Sequence, residues 1–201
     1  MRIYLVRHGE TIYNKKKCYY GVTDVPLSDE GSRQIKEMVP AFGNISFDRV
    51  ISSPLKRAVE TASILLNGRE IPLKTDDRLM EQNFGIFEGY TYKELSAKYP
   101  EELSAWNQDF SDYRIPEGES FSDVRKRIDT FIKDLSRGQG SLLITAHKGT
   151  FGHMLAGLLG LSLTGYWNFV FDQGCYSCID LEDGYAIIRC LNRKCTGRSV
   201  S

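Results

Sequence analysis

No excess of basic residues is present in this chain: 26 lysines and arginines stand against 26 aspartates and glutamates, for a formal net charge of zero. A general nucleic-acid binder neutralises phosphates with a surplus of cations. That class is excluded at the outset, and any cationic patch must be local. Long hydrophobic runs are missing too. No segment approaches the roughly 20 apolar residues of a membrane-spanning helix, and the opening stretch MRIYLVRHGETIYN has neither the basic leader nor the small-residue cleavage site of a signal peptide. The expectation is a cytoplasmic protein with no membrane and no nucleic-acid partner.

Histidine is scarce, with 3 in 201 residues, and cysteine is odd in number at 5: Cys18, Cys175, Cys178, Cys190 and Cys195. A chain of this length buries a sizeable core without covalent staples, so reduced thiols are expected. Cys175-x-x-Cys178 and Cys190-x4-Cys195 can also be drawn as a four-sulfur zinc site. However, GCYSCIDLE has the pattern of a strand, which sends side chains three apart to opposite faces. Buried thiols are the favoured reading and zinc the alternative.

Apolar runs bounded by turn residues alternate with helical patterns, which predicts an α/β fold with a mostly parallel sheet. RIYLVRH, FDRVISS and LLITAH read as successive strands, and CYSCIDLE with YAIIRCLN as a hairpin across Asp183-Gly184. Ser28 is placed to cap a helix over DEGSRQIKEMVPAF, Ser53-Pro54 to start a second, Ser120 with Asp123 a third, and a last helix follows His147. Residues 85–118, rich in Tyr, Glu and Trp and interrupted by Pro100 and Pro116, read as an insertion over one end of the sheet. Nothing marks a second domain within 1–201.

Working sites in open α/β sheets lie beyond the carboxyl ends of the strands. Arg7 and His8 end the first strand; Ser52, Ser53 and Arg57 follow the second; His147, Lys148 and Gly149 follow the third. Three segments thus deliver two histidines, two arginines and a lysine to one edge beside helix starts that attract anions. Taken singly, each has a structural alternative: a hydrogen-bonded strand-end histidine, a solvated helix arginine, a core histidine. Together they describe a phosphate pocket.

Four stretches, RHGETIYN, SSPLKRAVETA, EQNFGIFEG and TAHKG, resemble in order and spacing the motifs of the histidine phosphatase superfamily, with its phosphoglycerate mutase-like, three-layer α/β/α fold. The resemblance runs over nearly the full length and implies a single histidine phosphatase domain, 1–201. It makes His8 the nucleophile, with Arg7, Arg57 and His147 around the phosphoryl group. A neutral imidazole is needed for attack, and neighbouring cations disfavour the charged form. Asn14 corresponds to a phosphate donor and Glu81 to the carboxyl that protonates the leaving alcohol; Glu88 is the second choice for that acid. Tyr20 and Gly21 match positions near the substrate. Lys148 departs from the small or uncharged residue of many relatives, so its contact with phosphate is open. No metal or organic cofactor is implied.

YYGVTDVPL, NFGIFEG and FDQGCYSCIDLEDGYAIIRCLN resemble the alpha-ribazole phosphatase branch most closely. That implies a phosphomonoesterase of cobalamin biosynthesis, acting on a small phosphate ester as a monomer or homodimer. Phosphoglycerate mutase and a broad or sugar-phosphate phosphatase are the alternatives. Tyr90, Tyr92, Tyr99, Trp106, Phe110 and Tyr113 could supply a stacking platform for a flat leaving group or simply pack a core.

Overall fold

The computed structural model describes residues 1–135 and 138–195. Among them, β1 (Arg2–Arg7), β2 (Arg49–Ser52), β3 (Leu73–Thr75), β4 (Ser141–Ala146), β5 (Cys175–Glu182) and β6 (Tyr185–Lys194) form one sheet in the order β3-β2-β4-β1-β5-β6. The first four strands in that order run parallel, and β5 and β6 are antiparallel to their neighbours. The mostly parallel sheet expected from the alternating pattern is therefore present. The hairpin turn falls at Asp183 and Gly184, with φ of 48° and 85°. Two successive positive φ values are what a two-residue turn needs to match the strands' twist. The strand at Leu73–Thr75 is too short for its sequence to show alternation.

Strand β1 is buried on both faces, which explains why it reads as a continuous apolar run. Ile3 and Leu5 join Leu142, Ile144 and Ala146 of β4 in a core completed by α6 (Phe121–Leu135) and α7 (Lys148–Leu158). Tyr4 and Val6 point the other way and meet α2 (Asp29–Phe42) and α3 (Lys56–Leu66) through Ile35, Met38, Phe42 and Leu65. The three layers follow from this alternation.

Helix α2 is capped by Ser28, whose hydroxyl accepts from the Gly31 N–H at 3.0 Å. Ser120 and Asp123 exchange backbone-to-side-chain bonds of 3.0 and 3.2 Å at the start of α6. The start expected at Ser53-Pro54 is displaced: α3 begins at Lys56, after Leu55. Asp24 instead accepts from the Lys56 N–H at 2.7 Å, while the Ser53 hydroxyl is bonded to His147.

Residues 85–118 contain two short helices, α4 (Tyr92–Lys98) and α5 (Pro100–Gln108), around a cluster of Phe87, Leu95, Leu103 and Ile115. Tyr90, Tyr99, Trp106 and Tyr113 pack against that cluster, and Tyr92 is exposed. The aromatics of this stretch thus pack a satellite core. No helix among the described residues is long and apolar enough to cross a membrane.

Cys178 lies opposite Cys190 across the β5–β6 pair, in the apolar cluster under α2 and α3. Burial pushes the Cys178 and Cys195 thiols up to about 11, so both stay protonated at neutral pH. Among the described residues no group of three or more His, Cys, Asp or Glu is arranged to hold a metal ion. The four-sulfur zinc drawing has no geometry to support it.

Asp180 ties the sheet's middle to its edge. Its carboxylate accepts from Arg2 at 2.7 and 3.0 Å and from Arg189 at 2.6 Å, and the Arg2 hydrogen bond leads the causes that lower its pKa to about 2. A depressed folded pKa stabilises above the unfolded value and loses that stabilisation as pH falls toward the folded one. Asp180→Asn is expected to lower Tm at pH 7 and to have a vanishing effect as pH approaches 2; an equal loss at both pH values would contradict the ion-pair origin.

Candidate active site

The register of the sheet brings three strand ends to one level. Arg7 pairs with Ala146, and Ser52 with Thr145, so His8, Ser53 and His147 leave adjacent strands β1, β2 and β4 side by side. His8 is 3 % exposed. Its Nδ1–H donates to the Gly9 carbonyl at 2.7 Å, which leaves the Nε2 lone pair available as a nucleophile. Burial first, then the charges of Arg7 and Arg57, hold His8 well below the usual histidine range. It is neutral at physiological pH.

Arg57 is fully buried. Its guanidinium donates to the Gly21 carbonyl at 2.6 Å and the Thr23 carbonyl at 2.9 Å, and sits 4.7 Å from the centre of the Tyr20 ring. Arg7 donates to the Phe171 carbonyl at 2.8 Å. In each arginine the Nε is buried with no acceptor among the described residues. Two charged donors therefore converge on the space beside His8, where an anion supplies what the chain does not.

The 21–23 loop that anchors Arg57 is itself held by Glu88. That carboxylate accepts from the backbone N–H groups of Gly21 at 2.7 Å, Val22 at 3.2 Å, Thr23 at 3.1 Å and Phe84 at 3.0 Å, and from the Thr23 hydroxyl. Glu88 is thus occupied as a loop anchor and is not placed as the acid. Gly21, expected near the substrate, follows the lining residue Tyr20 and shares this supporting role through its backbone: a Cβ there would lie 1.5 Å from the Gln82 carbonyl oxygen. Its backbone must be bare for Arg57 to be seated.

Glu81 reaches the site from the other side. Its carboxylate accepts from the Gly149 N–H at 3.0 Å, at the start of α7, and from the Gln82 N–H at 3.1 Å. Any Cβ at position 149 would sit 2.2 Å from Glu81 Oε1, so glycine is required for this approach. His147 bonds the Ser53 hydroxyl through Nε2 at 2.8 Å and packs against His8 with ring centroids 5.1 Å apart. It is fully buried behind the cavity wall, and burial and then Arg57 keep it uncharged.

A cavity of about 350 Å³ joins these groups. That is the small end of the roughly 300–1,000 Å³ of ligand clefts. Arg7, His8, Asn14, Tyr20, Arg57, Glu81 and Lys148 all line it, so the predicted residues meet there except Gly21 and the recessed His147. Asn14 Oδ1 accepts from the Thr11 N–H at 3.0 Å, the Tyr20 hydroxyl at 2.8 Å and Gln173 at 2.7 Å, so its amide N–H groups remain for a ligand. Lys148 is exposed at the rim.

Sequence reasoning missed further lining residues: Tyr19, Phe84, Phe121, His153 and Tyr166. One signal was available: His153 stands four residues after Gly149 on α7, and that spacing puts both on one helix face. Tyr166 comes from a short turn, 163–168, that carries no motif.

The comparisons agree with this geometry. The histidine phosphatase superfamily (branch 1) matches residues 3–194. The chain belongs to that superfamily and so to the phosphatase class of hydrolases. Among its relatives, an adenosylcobalamin/alpha-ribazole phosphatase of Escherichia coli (strain K12) is 34% identical over 199 residues, covering 98% of each chain. The crystal structure of the alpha-ribazole phosphatase from Shigella flexneri superposes with a TM-score of 0.93 at 35% identity, covering 100% of each chain. More distant is phosphoserine phosphatase 1 of Hydrogenobacter thermophilus, 29% identical over 197 residues, 97% of this chain and 93% of that one.

All 3 histidines are buried and depressed, His153 to about 3. Histidines that stay neutral when folded but ionise when unfolded stabilise the fold above pH 6.5, and that contribution is lost as pH falls below it. The expected outcome is that no histidine ring signal inflects by NMR between pH 8 and 5. Stability should fall below pH 6.5 by up to about 1.4 kcal/mol per pH unit for each histidine. A ring inflection near 6.5 would contradict the buried, neutral site.

Proposed function

We propose that the protein hydrolyses alpha-ribazole 5′-phosphate, the 5′-phosphate ester of a benzimidazole riboside, through a phosphohistidine on His8. The observation that carries this reading is the mixed lining of the cavity: buried arginines and a neutral imidazole together with aromatic rings. A phosphate dianion satisfies the free Nε–H groups of Arg7 and Arg57 and the Asn14 amide. A flat ring fills the space among the aromatic side chains. The identity with alpha-ribazole phosphatases over nearly the whole chain supports the same substrate.

In the first step the His8 Nε2 lone pair attacks phosphorus while the ester P–O bond breaks, and protonated Glu81 delivers its proton to the leaving oxygen. The charge on the equatorial oxygens meets Arg7 and Arg57, placed before the reaction begins. His147, uncharged and held by the Ser53 hydroxyl, packs against His8 from behind the cavity. In the second step Glu81, now ionised, takes a proton from water as the water attacks phosphorus, and the P–N bond breaks. Phosphate leaves and His8 returns to its neutral form. Every residue used comes from one chain, and no metal or organic cofactor enters. A substrate of this kind and free cysteines fit a cytoplasmic setting.

The test is a kinetic panel: alpha-ribazole 5′-phosphate, phosphoserine, 3-phosphoglycerate and fructose 2,6-bisphosphate. The riboside ester is expected to have the highest kcat/KM; a higher value for any of the other three would move the substrate assignment to that ester. His8→Ala should abolish turnover of all four. Glu81→Gln should slow the alkyl esters by about 10²–10⁴-fold, the usual contribution of a general acid, and an activated aryl phosphate much less. Equal slowing of both would remove Glu81 from the acid role.

A further inference from the structure

The cavity is lined by a polar group that the hydrolysis does not use. His153 is 1 % exposed, lines the cavity, and has a buried Nδ1 with no hydrogen-bond partner among the described residues. Buried polar groups are nearly always hydrogen-bonded, so such a group calls for an explanation. Burial, then Arg125 and Arg127, hold its pKa near 3, so it is a neutral imidazole with one donor and one acceptor. Aromatic rings pack around it, and because the ring lines the cavity a ligand held there can be its partner.

Those surroundings are built with some care for position. Phe121 and Tyr166 lie 4.1 and 5.0 Å from the His153 ring and 4.7 Å from each other, nearly perpendicular. Phe110, from the 85–118 stretch, backs Phe121 at 4.3 Å. Gly152, next to His153 on α7, is where a Cβ would fall 2.4 Å from Tyr166 Cδ2. Only glycine lets that ring lie against the helix. Aromatic faces and edges arranged at an angle suit a planar group placed among them.

We propose that His153 is a specificity residue: it donates a hydrogen bond to an unprotonated ring nitrogen of a planar heterocyclic leaving group held against Phe121 and Tyr166. A benzimidazole riboside has such a nitrogen at the position not joined to the sugar. This inference rests on the riboside-ester reading above and deepens it. A site built to hydrogen-bond a ligand atom rejects the analogue lacking it, because its own polar group is then left unpaired.

The experiment compares benzimidazole riboside 5′-phosphate with its indole counterpart, in which that nitrogen is replaced by CH, and with phosphoserine. The wild-type enzyme should favour the benzimidazole ester over the indole ester by about tenfold in kcat/KM, the worth of one hydrogen bond. His153→Leu should erase that preference, with a larger loss of kcat/KM for the benzimidazole ester than for the indole ester or phosphoserine, and His153→Gln, which keeps a donor, should retain part of it. Tm of the leucine variant should be no lower than wild type, since no intramolecular bond is lost. Binding of the two dephosphorylated ribosides by calorimetry should show the same pattern. A leucine variant that keeps the full preference, or loses all three substrates equally, would overturn the role of His153 while leaving the phosphatase intact. Selective binding of the benzimidazole riboside without hydrolysis of its phosphate would instead overturn the proposed reaction and leave His153 standing.

Discussion

Burying a guanidinium beside an imidazole that must stay uncharged is the constraint around which the site is arranged. A buried cation costs several kcal/mol unless its donors are satisfied. The chain meets that demand for Arg57 with backbone carbonyls of Gly21 and Thr23 rather than with a carboxylate. The choice has a chemical consequence. A carboxylate in direct contact would cancel the charge that an incoming phosphate needs, whereas carbonyl dipoles hold the cation and leave its field open. The negative charge of Glu88 is used one layer back, on the N–H groups of the same loop.

That arrangement also keeps His8 reactive. With Arg7, Arg57 and a second buried imidazole around it, protonation of His8 is disfavoured by both burial and like charge. The Gly9 carbonyl fixes the proton on Nδ1 and so aims the lone pair. Glu81 is held at the start of α7 by the Gly149 N–H and lies within the electrostatic reach of both Arg7 and Arg57. The imidazole is kept neutral by burial first and then by the two cations, and the carboxylate is fixed beside it by backbone N–H groups.

Much of this was legible in the sequence, for reasons that differ by residue. His8, Arg57 and His147 were found because strand ends and helix starts are marked by pattern, and parallel neighbours put those ends together. Glu81 carries no such local signal and was found only through its motif. Ser53 was misjudged as a helix cap because a serine before proline looks like one; its hydroxyl has a competing partner, His147, that lies 94 positions away. Gly21 was singled out through its motif, whereas its close approach to the Gln82 carbonyl could not be read locally, since a glycine near a ligand and a glycine near a carbonyl look alike in sequence. An aromatic platform was sought in residues 85–118, where rings are abundant, yet Tyr90, Tyr99, Trp106 and Tyr113 pack their own cluster, Tyr92 is exposed, and Phe110 alone of those named backs Phe121. Phe121, His153 and Tyr166 line the cavity instead, from positions whose apolar periodicity reads as ordinary core.

The central claim is that His8, neutral and flanked by Arg7 and Arg57, carries the phosphoryl group in transit. The most direct measurement is rapid acid-free quenching of enzyme mixed with ³²P-labelled substrate, followed by peptide mapping. Label that is stable to base, labile to acid and confined to residue 8 is the predicted result. Turnover with no label on the protein, or label on any other residue, would contradict it.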